Sequence, residues 1–186
     1  KTADASNDAS KALEAALLGS GRALFVILFT DIVGSTALKD DLPAPDYHAL
    51  RRDHNARLST IITRGNAGAH VKYTGDGYLA VFLRPDVAVR RALEMQRVMR
   101  DHDLSIRVGI SMGDVRVEQV VGPTPDIASH NVDWAARCET LAEAGHICVT
   151  ADVRKDAARE FNSTVCSWEH HGEYVAKDGE TPLDIW

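Results

Sequence analysis

Residues 23–36, with the sequence ALFVILFTDIVGST, constrain the fold of this chain more than any other segment. Residues 24–29 form an apolar run rich in β-branched and aromatic side chains, which is typical of a central strand buried on both faces. Asp31 follows this run, and the small and hydroxylated residues Gly34, Ser35 and Thr36 favour a tight turn into a helix. The free N–H groups of such a helix bind anions, so Asp31 beside them would hold a metal ion against a phosphate. The alternative is a helix cap beside an acid that binds nothing.

The length and composition are those of a single globular domain. The chain has 186 residues, of which 45% are hydrophobic and 26% charged, enough for a core of its own. The net charge of −6 argues against a nucleic-acid groove, so we expect no nucleic-acid partner. The sequence contains no signal peptide and no apolar run as long as a membrane span. Its three scattered cysteines fit reduced thiols, so we expect a cytoplasmic location.

The first part of the chain has a composition of its own. Residues 1–20 begin small and polar and then contain a short helical pattern, SKALEAALL, that ends at Gly19. Because the chain starts with Lys1 and not with Met, we interpret it as a piece of a longer protein. The helix is then either the end of a linker from an upstream regulatory domain or a docked terminal helix, and membrane tethering of the longer protein stays open. Residues 21–186 form the predicted domain.

Helical and strand patterns alternate along this domain. They predict helices over residues 46–64, 84–103, 130–144 and 152–160, strands over residues 105–121 and 146–150, and two tail strands around a turn at 177–179. Residues 39–45 and the segment that ends at Asp126 are predicted loops. His54 falls on the apolar stripe of the first of these helices, where we predict a boundary residue and not a ligand. The order predicts an α+β fold, with a mixed, mainly antiparallel sheet and helices largely on one face.

A hairpin pattern covers AHVKYTGDGYLAVF, in which two strands meet at Gly75, Asp76 and Gly77. Asp-Gly is a common turn sequence, so the turn alone explains Asp76; the alternative is a second carboxylate at the end of the sheet. The flanking glycines leave room for a ligand near the backbone, which favours the second interpretation. Lys72, a charge in an otherwise apolar strand, also favours function, although a lysine that protects a sheet edge is a common alternative.

Four motifs together resemble the catalytic domain of class III nucleotidyl cyclases, the family of adenylyl and guanylyl cyclases. They are FTDIVGST, VKYTGDGYLAVF, IRVGISMGDV and a DI…NVDWAAR helix, in this order. The resemblance extends from Ala23 to the C-terminus, and four motifs in register are far more specific than any one of them. It implies the ferredoxin-like, palm-type fold of that family.

The resemblance also implies a metal site and a phosphate loop. The family holds two divalent ions, Mg²⁺ or Mn²⁺, with one aspartate at the end of the first strand and one in the hairpin turn. These positions correspond to Asp31 and Asp76, and the carbonyl group of Ile32 assists. The loop that binds the triphosphate corresponds to residues 33–36, which include Gly34, Ser35 and Thr36.

Further positions of the family bind the substrate. Its purine-reading lysine corresponds to Lys72 and the partner acid to Asp126. A lysine can donate to N1 of adenine and an acid can accept from its 6-amino group, whereas guanine presents the opposite pattern, so the pair favours ATP over GTP. The transition-state arginine corresponds to Arg137, and the C-terminal lysine that contacts the phosphates to Lys177.

Two positions depart from the family pattern. Asp133 stands where the family usually has an asparagine that orients the ribose, and it can accept a hydrogen bond but cannot donate one as an amide does. Without a ligand, Asp133 and Arg137 would be only a surface ion pair at i, i+4, worth about 0.3–0.5 kcal/mol. Asp114 stands where some members have a basic residue near the phosphates. We expect Asp133 to affect the rate more than the reaction.

The leading interpretation is an adenylyl cyclase that converts ATP to cyclic AMP and pyrophosphate at a site shared between two chains of a head-to-tail homodimer. In that family, one chain supplies the metal-binding aspartates and the other supplies Lys72, Asp126, Asp133 and Arg137. A non-catalytic or weakly active nucleotide-binding module, or a guanylyl cyclase, stays an alternative. A palm-type enzyme that makes cyclic dinucleotides is a third interpretation, although the sequence has no GGDEF-like turn.

Overall fold

The computed structural model describes residues 8–119, 125–161, 165–175 and 182–186. The α-helices in these ranges are Ala9–Leu18 (α1), Ser35–Asp41 (α2), Ala44–Thr63 (α3), Pro85–Met99 (α4), His130–Leu141 (α5) and Ala151–Ala157 (α6). The strands are Arg22–Ile32 (β1), Gly68–Tyr73 (β2), Tyr78–Phe82 (β3), Ile106–Glu118 (β4), Asp126–Ala128 (β5), Ile147–Val149 (β6), Gly172–Tyr174 (β7) and Leu183–Ile185 (β8).

Strand β1 is the central strand, as its apolar run predicts. The main sheet has the order β2-β3-β1-β4-β5 with antiparallel neighbours, and β6 adds to β4 in parallel. Strands β7 and β8 form a separate antiparallel pair. The predicted α+β class with a mixed, mainly antiparallel sheet is therefore confirmed.

Helices cover both faces of the sheet, so the prediction that they lie largely on one face is wrong. Alternate residues of β1 point to opposite faces. Val26 and Leu28 belong to a core with α3, α4 and α6, whereas Phe25 and Ile27 belong to a core with α1 and part of α5. Because both faces of β1 need apolar side chains, its sequence shows no alternation.

The structure differs from the sequence prediction at several element boundaries. The segment that ends at Asp126 was expected to be a loop, but Asp126 begins the three-residue strand β5. Helix α2 extends to Asp41, into residues predicted as a loop, and the segment 105–121 contains one long strand, β4. The tail strands are present as β7 and β8, while the predicted turn at 177–179 lies outside the described residues.

His54 is completely buried in α3, with 0% exposure, so its prediction as a boundary residue is wrong. Its Nδ1 lies 2.9 Å from Oδ1 of Asn55, and burial lowers the pKa of its imidazole.

Within the described ranges, we find no helix with both the length and the apolar character needed to cross a membrane.

Candidate active site

The turn of the β2–β3 hairpin packs against the end of β1. In the antiparallel β1–β3 pair, Phe29 is opposite Leu79, so the hairpin turn lies beside the last residues of β1. The backbone N–H of Tyr78 donates to the hydroxyl group of Thr30 over 3.0 Å. A Cβ atom on Gly77 would lie only 1.6 Å from the carbonyl oxygen of Thr30 and 3.1 Å from Cα of Asp31. The structure thus brings the backbone around Asp76 to the backbone around Asp31.

Asp31 forms an ion pair with a strand neighbour that the sequence analysis did not single out. Its cross-strand partner in β4 is Arg107, whose Nη2 donates to Oδ2 of Asp31 over 2.8 Å. The Nε atom of the same guanidinium is in ion-pair contact with the carboxylate of Glu139 on α5. Asp31 therefore shares its arginine with a second acid.

Asp76 has partners on a different element. The hydroxyl group of Tyr47 donates to Oδ1 of Asp76 over 3.3 Å, and Nη1 of Arg51 lies 3.8 Å from the same oxygen. Both partners are on α3. The pKa of Tyr47 is raised, mainly by burial and to a smaller extent by the negative charge of Asp76.

The donor set at this edge suits a hard divalent cation. The side chains of Asp31 and Asp76 are 30% and 32% exposed, so their oxygens are accessible from solvent. Carboxylate and carbonyl oxygens are the ligands that Mg²⁺ prefers, and it usually needs only one or two carboxylates beside water and phosphate oxygens. Among the described residues no cluster of three or more His, Cys, Asp or Glu side chains could hold a metal. Asp31 and Asp76 supply as many carboxylates as Mg²⁺ usually takes from a protein, with its other ligands left to water and substrate.

Residues 33–36 form the predicted turn into a helix. Gly34 has a φ of +71°, a conformation that favours glycine, and α2 begins at Ser35. The N–H of Val33 still belongs to the sheet, since it donates to the carbonyl of Ser105 over 2.9 Å. Gly34 and Thr36 are exposed and Ser35 is half-buried. The turn is therefore open to solvent next to Asp31.

Lys72 and Asp126 are in direct contact although 54 residues separate them. Nζ of Lys72 donates to Oδ2 of Asp126 over 2.7 Å. They lie on β2 and β5, the two ends of the strand order, so the sheet must curve to bring its edges together. A register shift between His70 and Lys72 marks a bulge, a feature that redirects side chains. The pair is partly exposed, so the contact contributes only about 0.2–1 kcal/mol to stability.

Helix α5 positions Asp133 and Arg137. Ser129 caps its N-terminus by accepting from the N–H groups of Asn131 and Val132. A Cβ atom on Gly109 of β4 would lie 2.0 Å from the backbone nitrogen of Glu139, so the helix packs directly on the strand.

The two predicted α5 residues have different surroundings. Asp133 is exposed in the first turn of the helix, and Arg137 is half-buried with its guanidinium 5.3 Å from the ring centroid of Trp134. This cation–π contact holds the arginine against an aromatic face.

One predicted residue and one cavity lie apart from this group, and another predicted residue is outside the described ranges. Lys177 lies outside the described residues. Asp114 is paired with Arg22 at the other end of β1. A cavity of about 560 Å³ lies between α4, β6 and the C-terminal segment, lined by Trp168 and Trp186 among others, and contains no predicted site residue.

Sequence reasoning missed four side chains around Asp31 and Asp76. Tyr47 and Arg51 contact Asp76, Arg107 contacts Asp31, and Glu139 contacts Arg107. The signal available for Arg107 was a charge within the alternating apolar pattern IRVGIS, directly analogous to Lys72.

Comparisons with known proteins agree with this fold and these motifs. A family model of the adenylate and guanylate cyclase catalytic domain matches residues 23–179. The "Putative adenylate cyclase 3" of Rhizobium meliloti (strain 1021) is 28% identical over 175 residues, which are 89% of this chain. The chain spans only 28% of the length of that relative.

Solved structures match over most of the chain. The adenylate/guanylate cyclase/hydrolase of Silicibacter pomeroyi has 29% identity and a TM-score of 0.75, over 89% of this chain and 95% of that one. The adenylyl cyclase CyaB of P. aeruginosa has 22% identity and a TM-score of 0.75, over 88% and 92% of the two chains.

Proposed function

Since this chain belongs to the class III nucleotidyl cyclase family, whose catalytic domain its sequence and fold match, we propose that it is an adenylyl cyclase. It converts ATP to 3′,5′-cyclic AMP and pyrophosphate. The observation that carries the choice of ATP is the contact between Lys72 and Asp126, at 2.7 Å on neighbouring edges of the curved sheet.

The polarity of this pair matches adenine. An ammonium group only donates, and N1 of adenine only accepts. An ionised carboxylate only accepts, and the 6-amino group of adenine donates. Guanine has a donor at N1 and an acceptor at position 6. The ammonium group of Lys72 would then face a donor, and the carboxylate of Asp126 would face an acceptor. Each such mismatch is costly once the bound nucleotide excludes water from the pair, which makes this pair selective for ATP.

Residues at the end of β1 and in the β2–β3 turn are proposed to hold the metal ions. Asp31, Asp76 and the carbonyl of Ile32 would bind two divalent ions, Mg²⁺ or Mn²⁺. When bound, such ions lower the pKa of the ribose 3′-hydroxyl group and neutralise charge on the triphosphate. The exposed turn at Gly34, Ser35 and Thr36 binds phosphate oxygens through N–H groups of the chain.

The charged residues of α5 act on the reacting end of the substrate. Arg137 meets the negative charge that grows on the α-phosphate while the 3′-oxygen attacks and pyrophosphate leaves. Asp133 accepts a hydrogen bond from the ribose. Lys177 contacts the phosphates. The chain needs no general base of its own at the 3′-hydroxyl group under this proposal.

The proposed active form is a head-to-tail homodimer with two equivalent sites. One chain contributes Asp31 and Asp76, and its partner contributes the substrate-reading residues and Arg137. Closed two-fold symmetry then gives each dimer two identical sites.

The decisive experiment measures both possible products. The purified protein is incubated with ATP or GTP, each with Mg²⁺ or Mn²⁺, and cyclic AMP and cyclic GMP are quantified. We expect cyclic AMP, with a higher kcat/KM for ATP than for GTP. The paired change Lys72→Glu and Asp126→Ser reverses the hydrogen-bonding polarity, and we expect it to move the preference toward GTP. Arg57→Gln, which changes an exposed α3 residue, should leave the preference unchanged. A preference for GTP in the unaltered protein would overturn the assignment.

One observation favours a second candidate, a nucleotide-binding module with little or no turnover. Asp133 places negative charge where the substrate is a polyanion, in a position that the family usually fills with an amide. Such a module would bind ATP by calorimetry but form no cyclic AMP with either metal.

A further inference from the structure

Arg107 lies between two carboxylates that belong to different elements. On one side its Nη2 donates to Oδ2 of Asp31 over 2.8 Å, and on the other its Nε is in contact with Glu139. The three side chains carry one positive and two negative charges. The arginine therefore has two acceptors on different nitrogen atoms, of which only Asp31 is a proposed metal ligand.

The two contacts differ in their access to solvent. Glu139 is 12% exposed and Asp31 is 30% exposed. The Nε atom of Arg107 and Oε1 of Glu139 are both inaccessible to water, and among the described residues neither has a hydrogen-bond partner of standard geometry. Their mutual ion-pair contact is thus what mainly offsets the free-energy cost of burying these two atoms, since a buried charge without a partner is costly. The contact with Glu139 is thus the more buried of the two, and the contact with Asp31 is the one that a cation from solvent reaches first.

We propose that Arg107 is the resident counter-cation of Asp31, that an arriving divalent ion displaces it, and that Glu139 retains it after displacement. This inference rests on the proposed function, because it takes Asp31 as a metal ligand. The guanidinium and the ion compete for the same carboxylate, and their like charges repel at short distance. Arg107 therefore weakens cation binding, and Glu139 reduces that effect by holding the displaced arginine.

The exchange also connects the metal site to α5. Glu139 lies two residues after Arg137 on the same helix, and that helix packs directly on Gly109. Occupancy at Asp31 thus changes the charge balance around the helix that carries the proposed transition-state arginine. Arg107 is accordingly a positioning residue.

The experiment measures Mn²⁺ affinity and not turnover. Free Mn²⁺ is followed by electron paramagnetic resonance in the purified protein with α,β-methylene-ATP, which the proposed reaction cannot cleave. Removing the competing cation with Arg107→Gln should tighten the Mn²⁺ Kd by about tenfold, the scale of one hydrogen bond to a charged group. Glu139→Gln should weaken it by about three- to tenfold, because Arg107 then has only Asp31 as an ionic partner.

A double-mutant cycle separates this exchange from a general field effect. If Glu139 acts by retaining Arg107, then Glu139→Gln has little effect once Arg107 is already Gln, whereas independent charges would give additive effects. Arg57→Gln removes one positive charge from an exposed ion pair with Asp53 and should leave the Kd unchanged. Arg107→Lys keeps the charge and should stay near the unaltered protein.

The outcomes distinguish a failure of this inference from a failure of the proposed function. Asp31→Asn should abolish the specific Mn²⁺ binding. If it does, the metal site stands. The exchange is then refuted if Arg107→Gln leaves the Mn²⁺ affinity unchanged or lowers it, or if the effects in the double-mutant cycle are additive. If Mn²⁺ binding does not depend on Asp31, both proposals fail. If circular dichroism shows that Arg107→Gln does not fold, the Glu139→Gln variant alone tests the exchange. An unchanged Mn²⁺ affinity of that variant then refutes it.

Discussion

At the scale of single residues, Asp133 differs from the family's asparagine by one hydrogen-bond donor and one negative charge. Both differences disfavour a polyanionic substrate whose ribose needs orientation. We predict that Asp133→Asn raises kcat for cyclic AMP formation about fivefold, which corresponds to about 1 kcal/mol from one added hydrogen bond. Initial rates at saturating ATP give the measurement.

Asp133→Ala separates the two contributions, because it removes the charge without adding a donor. A rate between those of the unaltered protein and Asp133→Asn would assign part of the gain to charge. If Asp133→Asn lowers kcat, the aspartate has a positive role in this chain and the expectation of a slowed enzyme is wrong.

The buried His54 and the half-buried His70 give the fold a predictable pH dependence. Burial lowers the pKa of His54 and of His70 below the ordinary 6.5. Below pH 6.5 the unfolded chain therefore binds more protons at these residues than the folded chain, so stability falls as the pH falls. Each residue can contribute at most about 1.4 kcal/mol per pH unit to this loss.

Urea unfolding between pH 5 and pH 7.5 tests this dependence. We predict a smaller loss of unfolding free energy on acidification in His54→Gln than in the unaltered protein. His48→Gln, at an exposed position of the same helix, is the control and should retain the full slope. Equal slopes in all three proteins would contradict the assignment to His54.

At the scale of elements, the hairpin turn depends on glycine for contact with β1. Gly77→Ala would place a Cβ atom 1.6 Å from the carbonyl oxygen of Thr30, so the turn must move away from Asp31. We predict a loss of about 1–3 kcal/mol in unfolding free energy and, at temperatures where the variant is folded, a weaker Mn²⁺ affinity.

Gly75→Ala is the matched control in the same turn. Gly75 has a φ of +94°, and a Cβ atom added there would meet no heavy atom within 4 Å. Alanine at this position therefore adds backbone strain of about 1–2 kcal/mol without a clash against β1. The two variants should differ in Mn²⁺ affinity more than in stability. If both weaken Mn²⁺ equally, close packing of Gly77 on β1 does not position Asp76.

The elements with strong local signals were predictable from the sequence. The strand β1 and the Asp-Gly turn are each specified by a short run of consecutive residues, so a local pattern is enough to predict them. The three residues of β5 were not predictable, because so short a strand is defined by its neighbour β4 and not by its own periodicity.

The contacts of the site depend on cross-strand register, which single-sequence patterns do not encode. Lys72 and Asp126 were assigned one by one through the family resemblance, but their meeting requires the curvature that brings two sheet edges together. Arg107 faces Asp31 only because of the β1–β4 register. The division of helices between two faces was hidden for a related reason: a strand buried on both sides shows no alternation.

At the scale of the whole molecule, the proposed shared site makes a prediction about mixtures of inactive chains. Asp31→Ala removes a metal ligand, and Lys72→Ala removes a purine-reading residue. If these belong to different chains at each site, a mixed dimer has one intact site and one site that lacks both. We predict that each variant alone is inactive and that an equimolar mixture recovers about one quarter of the unaltered activity, since random exchange puts half of the chains into mixed dimers.

The control mixture combines Asp31→Ala with Asp76→Ala, which damage the same side of the site. In their mixed dimer each metal site lacks one aspartate, so no site is complete and no activity should return. Cyclic AMP formation after co-refolding, with the dimer fraction measured by light scattering, distinguishes the cases. Recovery in the control but not in the first mixture would mean that each site takes Asp31 from one chain and Asp76 from the other. Absence of recovery in both, with mixed dimers present, would place Lys72 on the same chain as the metal ligands that it serves.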